Sequence, residues 1–134
     1  MRTIVAGSRY LTNSDIIEEG IAASGFAITE VVSGGARGTD FLGEQWAKKN
    51  GIACSVFPAD WDRYGKSAGP IRNAQMANHA EALIAFPAKD SVGTYDMIRK
   101  AKKKGLQVFV VNIEKSTKPY DIATGLSDWL RGLE

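Results

Sequence analysis

The sequence is poor in the residues that most often announce a chemistry. It has one cysteine, Cys54, and one histidine, His79. A single cysteine excludes an internal disulfide and fits a reducing compartment. A histidine with no cysteine or histidine partner argues against a metal centre, so none is expected. Cys54 lies inside a strand-like run and is expected in the core. His79 lies late in a helical stretch, where it can cap the last carbonyls. No apolar run approaches the ~20 residues that span a bilayer, so no membrane contact is expected. No signal-peptide pattern precedes the first apolar run, and a cytoplasmic protein is expected. Net charge is only +2. That falls short of the basic bias of a dedicated nucleic-acid binder, so nucleic acid is not the expected partner. Internal repeats and low-complexity linkers are absent.

What the chain does contain is an alternation. Short apolar runs at residues 2–6, 28–32, 52–57, 82–86 and 106–111 read as buried strands. Between them, helical spacing and caps mark residues 14–24, 39 or 40 to about 50, 70–80 and 93–104. Phe41, Leu42, Gln45 and Trp46 share helical spacing, with Trp46 expected in the core or an interface. Residues 58–69 read as a polar loop, and Pro70 as the first residue of the next helix. A loop at 115–120 and a last helix at 124–133 complete the chain. The alternation predicts an α/β fold: one Rossmann-like, doubly wound parallel sheet of about five strands, helices on both faces, order 3-2-1-4-5. Consecutive apolar residues within these runs fit a sheet covered on both sides. A single domain spans 1–134, its core about 2–112, with 113–134 as a C-terminal extension carrying the short helix.

Three glycine-bearing turns follow strands 1, 2 and 4: Gly7-Ser8-Arg9, then Ser33-Gly34-Gly35-Ala36-Arg37-Gly38-Thr39-Asp40, then Gly93-Thr94. In the expected strand order they meet at one crevice, where connections leave the sheet in opposite directions. Glycine allows close backbone approach, and a helix start offers unpaired N–H groups to an anion. The Ser33–Asp40 turn suits a nest of amides, with Thr39 donating a hydroxyl and Arg37 adding charge. Its glycine spacing matches neither the Walker loop nor the dinucleotide fingerprint. Ser8 and Arg9 suit phosphate or ribose oxygens. Asp96 either favours the helix dipole or accepts ribose hydroxyls.

The stretch from Trp61 to Asn73 mixes aromatic, basic and glycine residues. Trp61 or Tyr64 can stack on a base, while Lys66 and Arg72, with Asn73 beside it, can hold phosphate. Lys100-Ala101-Lys102-Lys103-Lys104 reads as a solvated helix end that complements the dipole. The expected ligand is a nucleotide or NAD-derived small molecule, and no cofactor is assigned.

These motifs ("IVAGSR", "SGGARGTD", "WAKKNGI", "FPADWDRYGKSAGPIRNAQM" and "GTYDMIRKAKKKG") together resemble the SLOG superfamily, more narrowly its YspA/YpsA-related branch of bacteria and phages. The resemblance covers roughly residues 2–112. It implies a Rossmann-like sheet, a pocket for nucleotides or nucleotide-derived ligands, and a homodimer. The chain is similar, more distantly, to the cytokinin-activating phosphoribohydrolases and to the Rossmann core of the DprA proteins. The hydrolase signature is PGGxGTxxE, with an arginine opening a preceding helix. Gly93-Thr94 matches its GT, and Arg72 its arginine. Lys89-Asp90-Ser91 replaces the PGG, and Met97 stands in place of the glutamate. A thioether cannot activate water. Asp96, one residue earlier, points about 100° away on a helix. Binding without turnover, as a sensor or sequestering module, is therefore the first expectation. Hydrolysis of an N-glycosidic bond, through Arg72 and Asp96, is the second. DprA-like single-strand binding is the third.

Overall fold

Successive strand residues point to opposite faces of a sheet, so a run such as Ile4-Val5 needs cover on both. The computed structural model supplies it. The structure describes residues 1–113; the expected loop at 115–120 and helix at 124–133 lie outside them. Strands β1 (Arg2–Gly7), β2 (Glu30–Ser33), β3 (Ala53–Val56), β4 (Ala82–Phe86) and β5 (Gln107–Val110) form one parallel sheet in the order β3-β2-β1-β4-β5. That is the expected α/β, Rossmann-like arrangement.

Helices α1 (Ser14–Ser24) and α2 (Thr39–Lys49) cover one face. There Val5, Val31, Ile84 and Phe86 meet Ile17, Ile21 and Ala47. Helices α4 (Ala68–His79) and α5 (Val92–Lys103) cover the other, where Ile4, Val32, Leu83 and Ala85 meet Met76, Ala77, Met97 and Ala101. Every residue of β4 is buried. Among the described residues no helix is long and apolar enough to cross a membrane.

Several local expectations are corrected. The polar stretch after β3 is not all loop. Asp60 accepts from the Arg63 amide and starts a one-turn helix α3 (Trp61–Tyr64), followed by a 3-10 turn at Gly65–Ser67. Helix α4 then starts at Ala68, so Pro70 is its third residue rather than its first. Proline fits there because amides of the first turn have no partner inside the helix. Strand β2 starts at Glu30 rather than Ile28. Cys54 is exposed, because β3 is an edge strand. The inner face of α2 carries Thr39, Asp40, Gly43 and Ala47, while Phe41 and Gln45 face out. Gly43 lets this helix approach Val5 closely; Trp46 packs partly buried against the same core. His79 caps no helix end. Its Nε2 meets the Glu30 carboxylate at 2.5 Å, and Arg2 Nε donates to the His79 carbonyl instead.

Candidate ligand crevice

Strands β1 and β4 are neighbours whose following connections go to opposite faces, β1 to α1 and β4 to α5. A crevice opens between them at their C-terminal ends, as topology requires. Its inner part is a cavity of about 340 Å³. Its outer part is a cavity of about 680 Å³. Arg9, Ala36, Arg72, Asn73, Val92 and Gly93 border both, so the two are continuous.

The first turn forms the floor. The Ser8 amide donates to the Phe86 carbonyl at 2.9 Å, extending the β1–β4 pairing one residue beyond Gly7. The Ser8 hydroxyl accepts from the Tyr10 amide at 3.1 Å, which turns the chain and leaves Arg9 bordering both cavities. The Arg9 side chain makes no hydrogen bond or ion pair with another described residue.

The turn after β4 leaves a helix start open. Ser91 is the N-cap of α5, yet its hydroxyl accepts from the Ala88 amide and leaves α5 uncapped. The amides of Gly93 and Thr94 meet no acceptor among the described residues. Both residues line the inner cavity, and the Thr94 hydroxyl makes no hydrogen bond to a described residue. A Cβ placed on Gly93 would touch nothing within 4 Å, so this backbone faces open space.

The Ser33–Asp40 turn closes on itself, unlike the expected nest. The Ser33 hydroxyl donates to Glu44 Oε2 at 2.6 Å and accepts from the Gly35 amide. The Ala36 amide donates to Asp40 Oδ2 at 3.2 Å. The Thr39 amide and hydroxyl both donate to the Ser8 carbonyl, at 3.0 and 2.8 Å. Gly38 sits at φ 75°, pressed against the backbone of Ser8 and Arg9 where a Cβ would overlap. Thus Ser33, Gly34, Gly35, Gly38 and Thr39 stand behind the crevice surface and brace it. Only Ala36, Arg37 and Asp40 of this turn reach it.

The wall opposite is a relay of side chains. Arg72 donates from Nη1 to the Gly34 carbonyl at 2.6 Å and from Nε to Asn73 Oδ1 at 3.1 Å. Asn73 Nδ2 donates to the Gly93 carbonyl and, at 2.9 Å, to Asp96 Oδ2. Lys100 holds the other Asp96 oxygen at 2.6 Å, with Arg99 at 3.5 Å. Burial pushes the Asp96 carboxyl up, but the hydrogen bonds from Lys100 and Asn73 and the neighbouring cations outweigh it and hold it below its ordinary value. Trp61, Lys66 and Arg37 border the outer part. Tyr64 lies off it, its ring 5.1 Å from the Arg63 guanidinium.

Asp40 differs from Asp96. Burial pushes it up to about 6, against the pull of the Ala36 amide and the Arg72 guanidinium, while Glu44 adds to the rise. Sequence reasoning placed Asp40 in the turn without separating it from its neighbours. Its one available signal was a carboxyl early in a helix, and that does not report burial. Tyr10, Asp90 and Met76 also border the inner part and were not anticipated. Met97 is fully buried at its edge, part of the core as much as of the crevice.

The family model for the YspA, cpYpsA-related SLOG family (YAcAr) matches residues 1–64. That stretch runs from β1 to α3 and includes the first two glycine turns. The gene 61 protein of Mycobacterium phage D29 is 35% identical over 117 residues, covering 80% of this chain and 93% of that protein. Among solved structures, the chain is similar to the X-ray structure of DNA processing protein A (DprA) from Streptococcus pneumoniae. The TM-score is 0.68 at 22% identity, covering 98% of this chain and 55% of that one. The chain thus spans about half the length of DprA, and the likeness is one of fold.

Proposed function

The chain belongs to the YspA, cpYpsA-related SLOG family, and from that premise we propose that its crevice binds a nucleotide or nucleotide-derived ligand. The phosphate takes the inner part, the base or ribose the outer. The open start of α5 carries this reading. Two unpaired amides and the Thr94 hydroxyl stand at a cavity that Arg9 and Arg72 also border. Amides at a helix start attract an anion through their own dipoles and the helix's. Arginine adds paired donors matched to phosphate oxygens. Farther out, Trp61 is 58% exposed at the rim, and its ring offers a surface on which a base can stack.

Binding without turnover is the better-supported form of this reading. The Asp96 carboxylate is occupied by Asn73, Lys100 and Arg99. Met97 holds the position where a glutamate would act, and it is packed into the core. The protein then serves as a sensor or a sequestering module.

Mass spectrometry of small molecules that co-purify with the native protein tests the reading. Titration with nucleoside monophosphates and NAD-type dinucleotides follows. Binding with the ligand recovered intact is expected. Release of free base would replace the binder by a hydrolase. Binding of an oligonucleotide alone, weakening steeply with salt, would replace the nucleotide by a strand.

A further inference from the structure

Inside the proposed phosphate site one carboxyl stands in an unexpected place. Asp40 borders the inner cavity together with Gly93 and Thr94, whose amides are unpaired. It is only 7% exposed. Its Oδ2 accepts from the Ala36 amide, and the Gly34 amide also pulls on the carboxylate. The groups facing it are the Ala36 and Gly34 amides, Arg72 from α4 and Glu44 from its own helix; Arg9 and Asp90 border the same cavity. A bare carboxylate beside a bare oxyanion repels it. A carboxyl and an oxyanion with one proton between them form a strong, charge-assisted hydrogen bond.

We propose that Asp40 makes the inner crevice selective for phosphate groups that can share a proton with it, against anions of like size and charge that carry none. The inference rests on the reading that the inner crevice holds a phosphate. It adds what kind of anion is accepted. Near neutral pH inorganic phosphate brings its own proton, which lies between its oxygen and Asp40. Sulfate brings none. A terminal phosphate monoester, with its second ionisation at about pH 6, binds together with one proton from solvent. A phosphodiester has no proton to give and is disfavoured while Asp40 is ionised. That Asp40 takes up its proton at about pH 6 places this exchange within reach of neutral solution.

The test is calorimetric titration of the full chain with phosphate and with sulfate at matched ionic strength, at about pH 7.5 and about pH 5. At the higher pH phosphate is expected to bind at least about tenfold tighter than sulfate. At the lower pH Asp40 is protonated and donates to either anion, while phosphate becomes a monoanion, so sulfate is expected to bind tighter than it does at the higher pH. In Asp40→Asn the amide still accepts from Ala36 and can donate to sulfate, so discrimination at the higher pH falls below about twofold. Equal affinities of wild type for phosphate and sulfate at the higher pH would overturn the proposal. So would discrimination that survives in Asp40→Asn, or binding of neither anion. If Asp40→Asn does not fold, the wild-type discrimination at the higher pH and the gain of sulfate affinity at the lower pH decide. A parallel titration with the four common nucleoside 5′-monophosphates keeps the two readings apart. Nucleotides that bind no tighter than phosphate overturn the nucleotide reading and leave the Asp40 result standing. Tighter nucleotide binding without phosphate–sulfate discrimination does the reverse.

Discussion

Arg72 donates from Nη1 to the carbonyl of Gly34 at 2.6 Å, joining residues 38 positions apart in the chain. The contact requires glycine. A Cβ at position 34 would lie 2.5 Å from that nitrogen and 2.9 Å from Asp40 Oδ2. Gly34→Ala is therefore expected to push the guanidinium aside. The displaced group is the end of a flexible side chain, so stability should change by less than about 1 kcal/mol. Affinity for nucleoside monophosphates should fall by about tenfold or more, because a charge-assisted donor is misplaced. Unchanged affinity in a folded Gly34→Ala would remove Arg72 from the site.

Gly93→Val probes the opposite wall without disturbing the packing. Nothing lies within 4 Å of the position its Cβ would take. The branched side chain should fill part of the inner cavity while the melting temperature stays within about 3 °C of wild type. Loss of nucleotide binding is expected by calorimetry. Retained binding would move the phosphate away from the start of α5.

Asp40 also sets a pH dependence of stability. Its folded value of about 6 lies above the ordinary 3.8, so the folded protein binds more protons than the unfolded chain between those values. The corresponding stability is present below the ordinary value and is lost as pH rises through about 6. Asp40→Asn removes that loss. Thermal melts should show the variant more stable than wild type near pH 8, by at most about 3 kcal/mol, with the gap closing towards pH 4. A variant less stable than wild type near pH 8 would contradict the assignment. Asp96 has the opposite sign: its lowered value contributes stability above the unfolded value, lost as pH falls through the folded one.

Gly20→Ala sets helix preference against packing. Alanine favours a helix interior by about 1 kcal/mol over glycine. Yet a Cβ on Gly20 would lie 2.5 Å from the Phe86 ring, which is fully buried at the end of β4. Overpacking a ring that cannot retreat costs about 1–3 kcal/mol, so the substitution should destabilise. Chemical denaturation checks the sign.

The strand order was legible because Ile4-Val5, Val31-Val32 and Leu83-Ile84 each place apolar side chains on both faces. The run at 52–57 looked the same and behaves differently. Only its neighbours reveal an edge strand, so Cys54 was expected inside and lies outside. The meeting of Arg9, Gly93 and Thr94 followed from topology. The closure of the Ser33–Asp40 turn did not. Its main anchor is the Ser8 carbonyl, 31 residues from Thr39. The burial of Asp40 was equally invisible, because it depends on which face α2 turns to the sheet.

The crevice joins central strands of the sheet to a segment without buried residues. Its floor continues β1 and β4, which are hydrogen-bonded to strands on both sides. Amides there should exchange with solvent only when the whole domain unfolds. Its outer wall is the Trp61–Ser67 segment, two consecutive short turns with no buried residue, whose amides should exchange through local opening. A bound ligand would therefore announce itself by slowed deuterium uptake along one rim, while the strands beneath, already protected, kept their rates.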